Sequence, residues 1–137
     1  MAEPDATIDT AAFIASLMAF QKKTKLQFGK LLRKVALMIL RETVKNQHDR
    51  RAVDTGLSIG NWQCTVGRDN EDIMPIGTQP ESAAVQQLYY LKNEGIGEVI
   101  FIFNNVRYTI YLEFGTDKMA PRAMLRDAIS SVTQQLG

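Results

Sequence analysis

One cysteine, one histidine and four prolines in 137 residues leave little material for several kinds of protein. With Cys64 alone, no intrachain disulfide framework can form. That fits a reducing compartment such as a cytoplasm. One Cys and one His fall short of the N/S ligand set of a typical zinc site. A nucleophilic Cys64–His48 pair would need an activating base from a very different part of the chain, and a buried, inert thiol is the common outcome. No stretch reaches the ~20 consecutive apolar residues of a membrane helix. The start, Met1-Ala-Glu-Pro-Asp-Ala6, lacks the basic opening and apolar core of a signal peptide. The expectation is a mature, soluble chain without a membrane partner. Net charge is nearly absent too: 16 basic against 15 acidic residues give +1, which offers no global argument for nucleic acid or an acidic membrane surface. No phosphate-binding Gly-x-x-x-x-Gly-Lys-Ser/Thr loop occurs.

What is present is an ordinary globular composition, 45% hydrophobic and 23% charged. The length suits one domain. Residues 1–9 read as a flexible tail and 10–137 as a single domain of α+β class. Asp9 or Thr10 suits a helix cap. From Thr10 to His48 there is no proline and one glycine, Gly29, and apolar residues recur at helical spacing: Phe13, Ile14, Leu17, Met18, then Phe28, Leu31, Leu32, Val35, Ile39. A continuous helix here would span ~58 Å, against a radius of gyration of ~14 Å for a globule of this length. Either the helix breaks near 21–29, with Gly29 marking a bend, or its end packs on another subunit.

Further on, 53–57 reads as a turn into a strand, and Trp62, Cys64 and Val66 alternate onto one face. Residues 68–80 form a polar loop. Ser82 to Lys92 reads as a short middle helix with Val85, Leu88 and Tyr89 inward, closed by Asn93-Glu-Gly-Ile-Gly97. Glu98 to Phe103 is a second strand, completing a small antiparallel sheet, and its unbroken apolar run implies cover on both faces. Val106 to Phe114 reads as a strand, or as a helical turn ending near Glu113. Pro121 suits the first position of a C-terminal helix that carries Met124, Leu125, Ala128, Ile129, Val132 and Leu136 on one stripe.

Charge is segregated. Between Asp9 and Glu42 lie Lys22, Lys23, Lys25, Lys30, Arg33, Lys34 and Arg41 with no acid among them. From Asp54 to Glu98 acids dominate. A basic helix face is either solvated, with its stems packed on apolar surface, or a contact with an acidic neighbour or passing DNA.

Enzyme signatures are weak, and no catalytic, metal or cofactor site is assigned. Gly56-Leu-Ser-Ile-Gly60 matches the nucleophile-elbow letters, but leads into a strand, and His48 precedes the serine. Asp69, Glu71 and Asp72 lack the spacing of an EF-hand loop, so a solvated acidic loop is expected. Glu113, between Leu112 and Phe114, suits a half-buried carboxylate held by backbone N–H groups or paired with Arg122 or Arg126. Phe101, Phe103, Tyr108, Tyr111 and Phe114 have no basic residues interleaved on the strand and read as core, not as a base-stacking platform.

Two segments carry a resemblance: Asp54-Thr-Gly-Leu-Ser-Ile-Gly-Asn-Trp62, and Tyr108-Thr-Ile-Tyr-Leu-Glu-Phe-Gly-Thr-Asp-Lys-Met-Ala-Pro-Arg122 followed by an amphipathic helix. In this order, after a long N-terminal helix, they resemble the neck and tail-completion proteins of long-tailed phages, including tail-terminator-like proteins. The resemblance runs from about Phe13 to the end. Leu57 and Ser58 stand where members often carry a nearby arginine, Asp117 stands where serine is common, and residues 68–98 match little. The resemblance implies a non-catalytic virion protein of the neck or tail, assembled in the host cytoplasm. It implies a homo-oligomeric ring, sixfold or alternatively twelvefold, that joins or terminates the tail tube and leaves a DNA channel. Its partners would be other neck, head-closure or tail-tube proteins. Thr55, Gly56 and Trp62 would form the strand entry. Glu113, Gly115, Thr116 and Pro121 would form a joint in which Glu113 accepts from the 115–118 turn and Pro121 opens the last helix. The alternative is a small DNA-associated or protein-binding module that uses the basic N-terminal helix.

Overall fold

The break in the first helical segment sets the architecture. The computed structural model describes residues 9–50, 55–95 and 97–136. Helix α1 spans Thr10–Thr24 and α2 spans Phe28–Asp49. Asp9 caps α1, its carboxylate accepting the Ala12 N–H at 2.9 Å. Lys25 then turns left-handed (φ 57°), donating its N–H to the Gln21 carbonyl at 2.7 Å, and ends the helix. The predicted break is therefore present, at 25–27. Gly29 is not its cause. It lies inside α2, where a Cβ would sit 1.9 Å from the Lys92 carbonyl oxygen. The glycine is there because another stretch of backbone crosses the helix, and its N–H donates to the Asn93 carbonyl at 2.7 Å.

Helix α2 is the central beam, with two apolar sides. Leu31, Val35 and Ile39 face a cluster completed by Leu17 of α1 and by Ala128, Val132 and Leu136 of α5 (Met124–Leu136). Ala36 and Leu40 face a second cluster with Trp62, Cys64, Ala84, Leu88 and Met124. The i, i+4, i+8 spacing of the first set and the i, i+4 spacing of the second are what a helix requires to present each as a stripe.

Strands β1 (Trp62–Val66) and β2 (Ile100–Asn104) form the two-stranded antiparallel sheet, pairing Trp62 with Asn104, Cys64 with Ile102 and Val66 with Ile100. A 3-10 turn over Ile59–Asn61 feeds β1. The short middle helix α3 (Pro80–Leu88) packs against β1 and α2. The chain is thus α+β with five helices among the described residues.

Several sequence expectations are corrected. Helix α3 starts at Pro80, and its inward residues are Pro80, Ala84 and Leu88, while Val85 and Tyr89 face out. Strand β2 starts at Ile100, not Glu98, and is half-buried along its length, because among the described residues no third strand pairs with its outer edge. Of the two readings of residues 106–114, the strand is absent and the helical turn ending near Glu113 is present. Thr109–Phe114 forms helix α4, with Thr109 and Glu113, four apart, as its buried pair. Pro121 lies three residues ahead of α5 and so does not open it. The flexible tail assigned to 1–9 lies, apart from Asp9, outside the described residues, as do Val53 and Asp54 of the turn into β1.

Candidate functional site

The two segments that carry the resemblance meet in space. Gly56 takes the positive φ (87°) that the turn needs, and its carbonyl accepts the Gly60 N–H at 3.2 Å. Thr55 Oγ1 accepts the Leu57 N–H at 3.3 Å. The turn delivers Ser58 and Trp62 to one end of a buried chain of hydrogen bonds. Trp62 Nε1 donates to Gln47 Oε1 (2.6 Å), and Gln47 Nε2 donates to Ser58 Oγ (2.9 Å). Ser58 Oγ lies 2.8 Å from Thr109 Oγ1, which donates to Asn104 Oδ1 at 3.1 Å. With Thr109 as donor to Asn104, Ser58 is left as donor to Thr109, and every hydroxyl in the chain points the same way. Asn104 closes the knot by donating Nδ2 to the Ser58 carbonyl (2.8 Å) and accepting the Val106 N–H at 3.0 Å. This knot turns the chain out of β2 and starts α4.

Beyond α4 comes the joint. The Arg122 N–H donates to the Leu112 carbonyl (2.7 Å) and the Ala123 N–H to the Glu113 carbonyl (3.2 Å), so residues 112–123 close on themselves. Gly115 makes the exit from α4 at φ 78°, and a Cβ there would lie 2.7 Å from the Met119 oxygen and 2.8 Å from the Pro121 nitrogen. Thr116 and Met119 form a bridge, and Thr116 Oγ1 accepts the Lys118 N–H at 3.2 Å. Thr116, Asp117, Lys118, Ala120 and Pro121 are exposed on this closed loop.

Glu113 does not brace that loop, as the sequence suggested. Its carboxylate accepts the backbone N–H groups of Leu125 (2.9 Å) and Arg126 (3.2 Å), the orphan donors of the first turn of α5. It is the cap of the last helix, supplied from another helix. It also takes Arg126 Nε at 2.8 Å, while Arg126 Nη2 donates to the Glu113 carbonyl. The Arg126 guanidinium lies 4.4 Å from the Phe114 ring centroid. From the far side, Arg50 at the end of α2 donates to the Arg122 carbonyl (2.5 Å) and pairs with Asp127 at 2.7 Å. Backbone N–H donors and the Arg126 partner are as the sequence implied; what it left unread is that the donors belong to the last helix, 12 and 13 residues beyond the acceptor.

Around the joint, α4 exposes apolar side chains: Ile110 is 58% exposed, Tyr111 53% and Phe114 43%. Tyr111 and Phe114, with Tyr108, were expected in the core. Phe101 and Phe103 are half-buried and stand on the face of β2 opposite Ile100 and Ile102, the residues of that strand that pack on the core clusters. Tyr89 and Tyr90 at the end of α3, and Ile73 and Ile76 in the 68–79 loop, are also exposed. Sequence reading missed Ile110, Tyr90, Ile73 and Ile76. The only signal for them is that apolar letters fall off the buried stripe of their own segment.

The seven basic residues of the N-terminal region do not form one face. Arg33 is half-buried and donates to the carbonyls of Leu88 (3.0 Å) and Leu91 (2.6 Å), which makes it a structural clamp. Arg41 pairs with Glu81 at 2.6 Å, and that hydrogen bond and charge hold its pKa above the usual value. Lys34 places its ammonium 5.1 Å from the Phe20 ring centroid. Lys22, Lys23, Lys25 and Lys30 are exposed.

The candidate chemical groups are kept apart. Cys64 lies in the second core cluster, and burial pushes its thiol up to about 11. His48 is exposed near the end of α2, beside Asp49 at 3.3 Å. Ser58 of the elbow-like letters is buried and bonded to Gln47 and Thr109, not to a histidine. In the acidic loop, the carbonyls of Asn70 and Asp72 are bound by Asn105 Nδ2 at 2.9 Å each. Among the described residues, no group of three or more His, Cys, Asp or Glu side chains is placed to hold a metal, and no helix is long and apolar enough to cross a membrane. No protein-family model, curated protein or solved structure matches the chain.

Proposed function

We propose that this chain is a non-catalytic virion subunit of a tailed phage, a neck or tail-completion protein. Identical copies assemble into a closed ring, six or twelve to the turn, that joins or terminates the tail tube around a DNA channel. The observation that carries the reading is the joint. Glu113, Gly115 and the 112–123 closure fix a small exposed loop and an outward apolar helix face on a rigid base. A single copy gains nothing from leaving Ile110, Tyr111 and Phe114 in water. A neighbour that covers them recovers about 25 cal/mol per Å² of apolar surface buried. The resemblance of the same segment to tail-completion proteins supplies the phage context. Other neck, head-closure or tail-tube proteins of the same virion are the expected partners.

Electron microscopy of the concentrated purified protein tests the reading. Closed rings of uniform diameter with a central opening are expected. Open filaments, or particles of no fixed size, would overturn it, because a tube terminator must close on itself.

A further inference from the structure

We propose that the corner where α1 gives way to α2, together with the adjoining turn after α3, is a contact surface for the phosphate backbone of duplex DNA. Lys22, Lys23, Lys25, Lys30 and Lys34 are all exposed there, with no acid between Asp9 and Glu42. Lys30, Lys34, Arg41 and Lys45 recur along one side of α2, covering about 22 Å of helix, and all four are exposed.

The turn after α3 is pinned to this corner. The Gly29 N–H bonds the Asn93 carbonyl, which brings the exposed Lys92 against the first turn of α2. Arg33 binds the carbonyls of Leu88 and Leu91, on either side of Tyr89 and Tyr90. Those two tyrosines are 82% and 74% exposed, and their rings meet edge to face at 6.0 Å between centroids. Exposed phenol groups on a turn whose backbone Arg33 anchors match a phosphate surface, since Lys and Tyr side chains both contact phosphate oxygens. The competing occupant is an acidic face of a second copy. Lysine is depleted at the cores of protein interfaces, and Glu81, one acid near this side of α2, is already engaged by Arg41. Glu94 is exposed in the adjoining turn, but it stands against the exposed Lys92 and the five lysines of the corner, so the composition favours nucleic acid. The contact needs only one copy, so its failure and the failure of the ring reading are separate results.

Fluorescence anisotropy with a labelled 25-base-pair duplex of arbitrary sequence, at 50, 100 and 200 mM NaCl, tests it. About four phosphate contacts predict a log–log salt slope near −3.6, or ~150-fold weaker binding across that range. Lys30→Ala with Lys34→Ala should flatten the slope by about 1.8. Lys22→Gln with Lys23→Gln should flatten it likewise, and the second pair guards against a folding effect in the first. Tyr89→Phe with Tyr90→Phe should weaken binding at all salts. No binding at 50 mM NaCl would overturn the proposal. So would a slope that neither lysine pair changes, or lysine variants that alter self-association while duplex binding stays as it was.

Discussion

Arg126 Nε lies 2.8 Å from Glu113 Oε2, with both side chains more than nine-tenths buried. The same carboxylate accepts the N–H groups of Leu125 and Arg126 in the first turn of α5. One side chain therefore does two things. It caps a helix and gives the Arg126 guanidinium a buried charged partner. Removing the carboxylate leaves the arginine buried without a countercharge, which costs about 3–5 kcal/mol.

Glu113→Ala should therefore lower stability by about 3–5 kcal/mol, read as a fall in the thermal midpoint of ~12–20 °C at roughly 4 °C per kcal/mol for a chain of this size. Glu113→Gln should fall between wild type and Ala, because the amide oxygen still accepts one backbone N–H. Calorimetry of the three proteins checks the order. Equal midpoints would remove Glu113 from the joint.

Gly29→Ala pits two effects against each other. Alanine gains ~1 kcal/mol in a helix interior, but its Cβ would meet the backbone oxygen of Lys92 at 1.9 Å. Backbone cannot swing aside as a side chain can, so the clash wins. A net loss of at least about 2 kcal/mol is expected by urea unfolding. The amides at 92–95 should also exchange faster with solvent. A stabilised variant would show that the crossing is not this close.

Cys64 should be nearly inert to thiol reagents in the native protein and fast in denaturant, since only the thiolate attacks. Burial raises its pKa from an ordinary 9.0 to about 11. The folded state thus holds the proton more tightly than the unfolded chain. The stabilisation is present below about pH 9 and is lost as pH climbs through 11, at up to about 1.4 kcal/mol per unit. Denaturant titrations at pH 8 and pH 10.5 check the sign, which should be a fall.

Much of this fold is legible in the letters, and the failures share a physical cause. Leu31, Val35 and Ile39 announce α2 because one stripe of one long helix is buried. Asp9 announces its own cap because its bond spans only three residues. Helix α4 is hidden because it is six residues long and its start depends on Asn104 and on Ser58, 51 positions before Thr109. Val85 and Tyr89 were misplaced because a nine-residue helix allows more than one apolar stripe, and packing against β1 chose Pro80, Ala84 and Leu88. Glu113 is legible as a half-buried carboxylate held by backbone N–H groups, and Arg126 as one of its two candidate partners. The cap was not recognised, because sequence order gives no reason for one helix to cap another. Phage assembly is legible only as a resemblance, for which the exposed α4 face offers a physical rationale.

The central claim is assembly through that face, and the native mass tests it most directly. Light scattering across a concentration series should give a discrete species of six or twelve 15.4 kDa chains. Tyr111→Asp, which puts a charge on an exposed position of α4, should return it to one chain without changing the thermal midpoint by more than ~2 °C. A wild-type mass of 15.4 kDa at every concentration would contradict the account, as would an assembly indifferent to Tyr111→Asp.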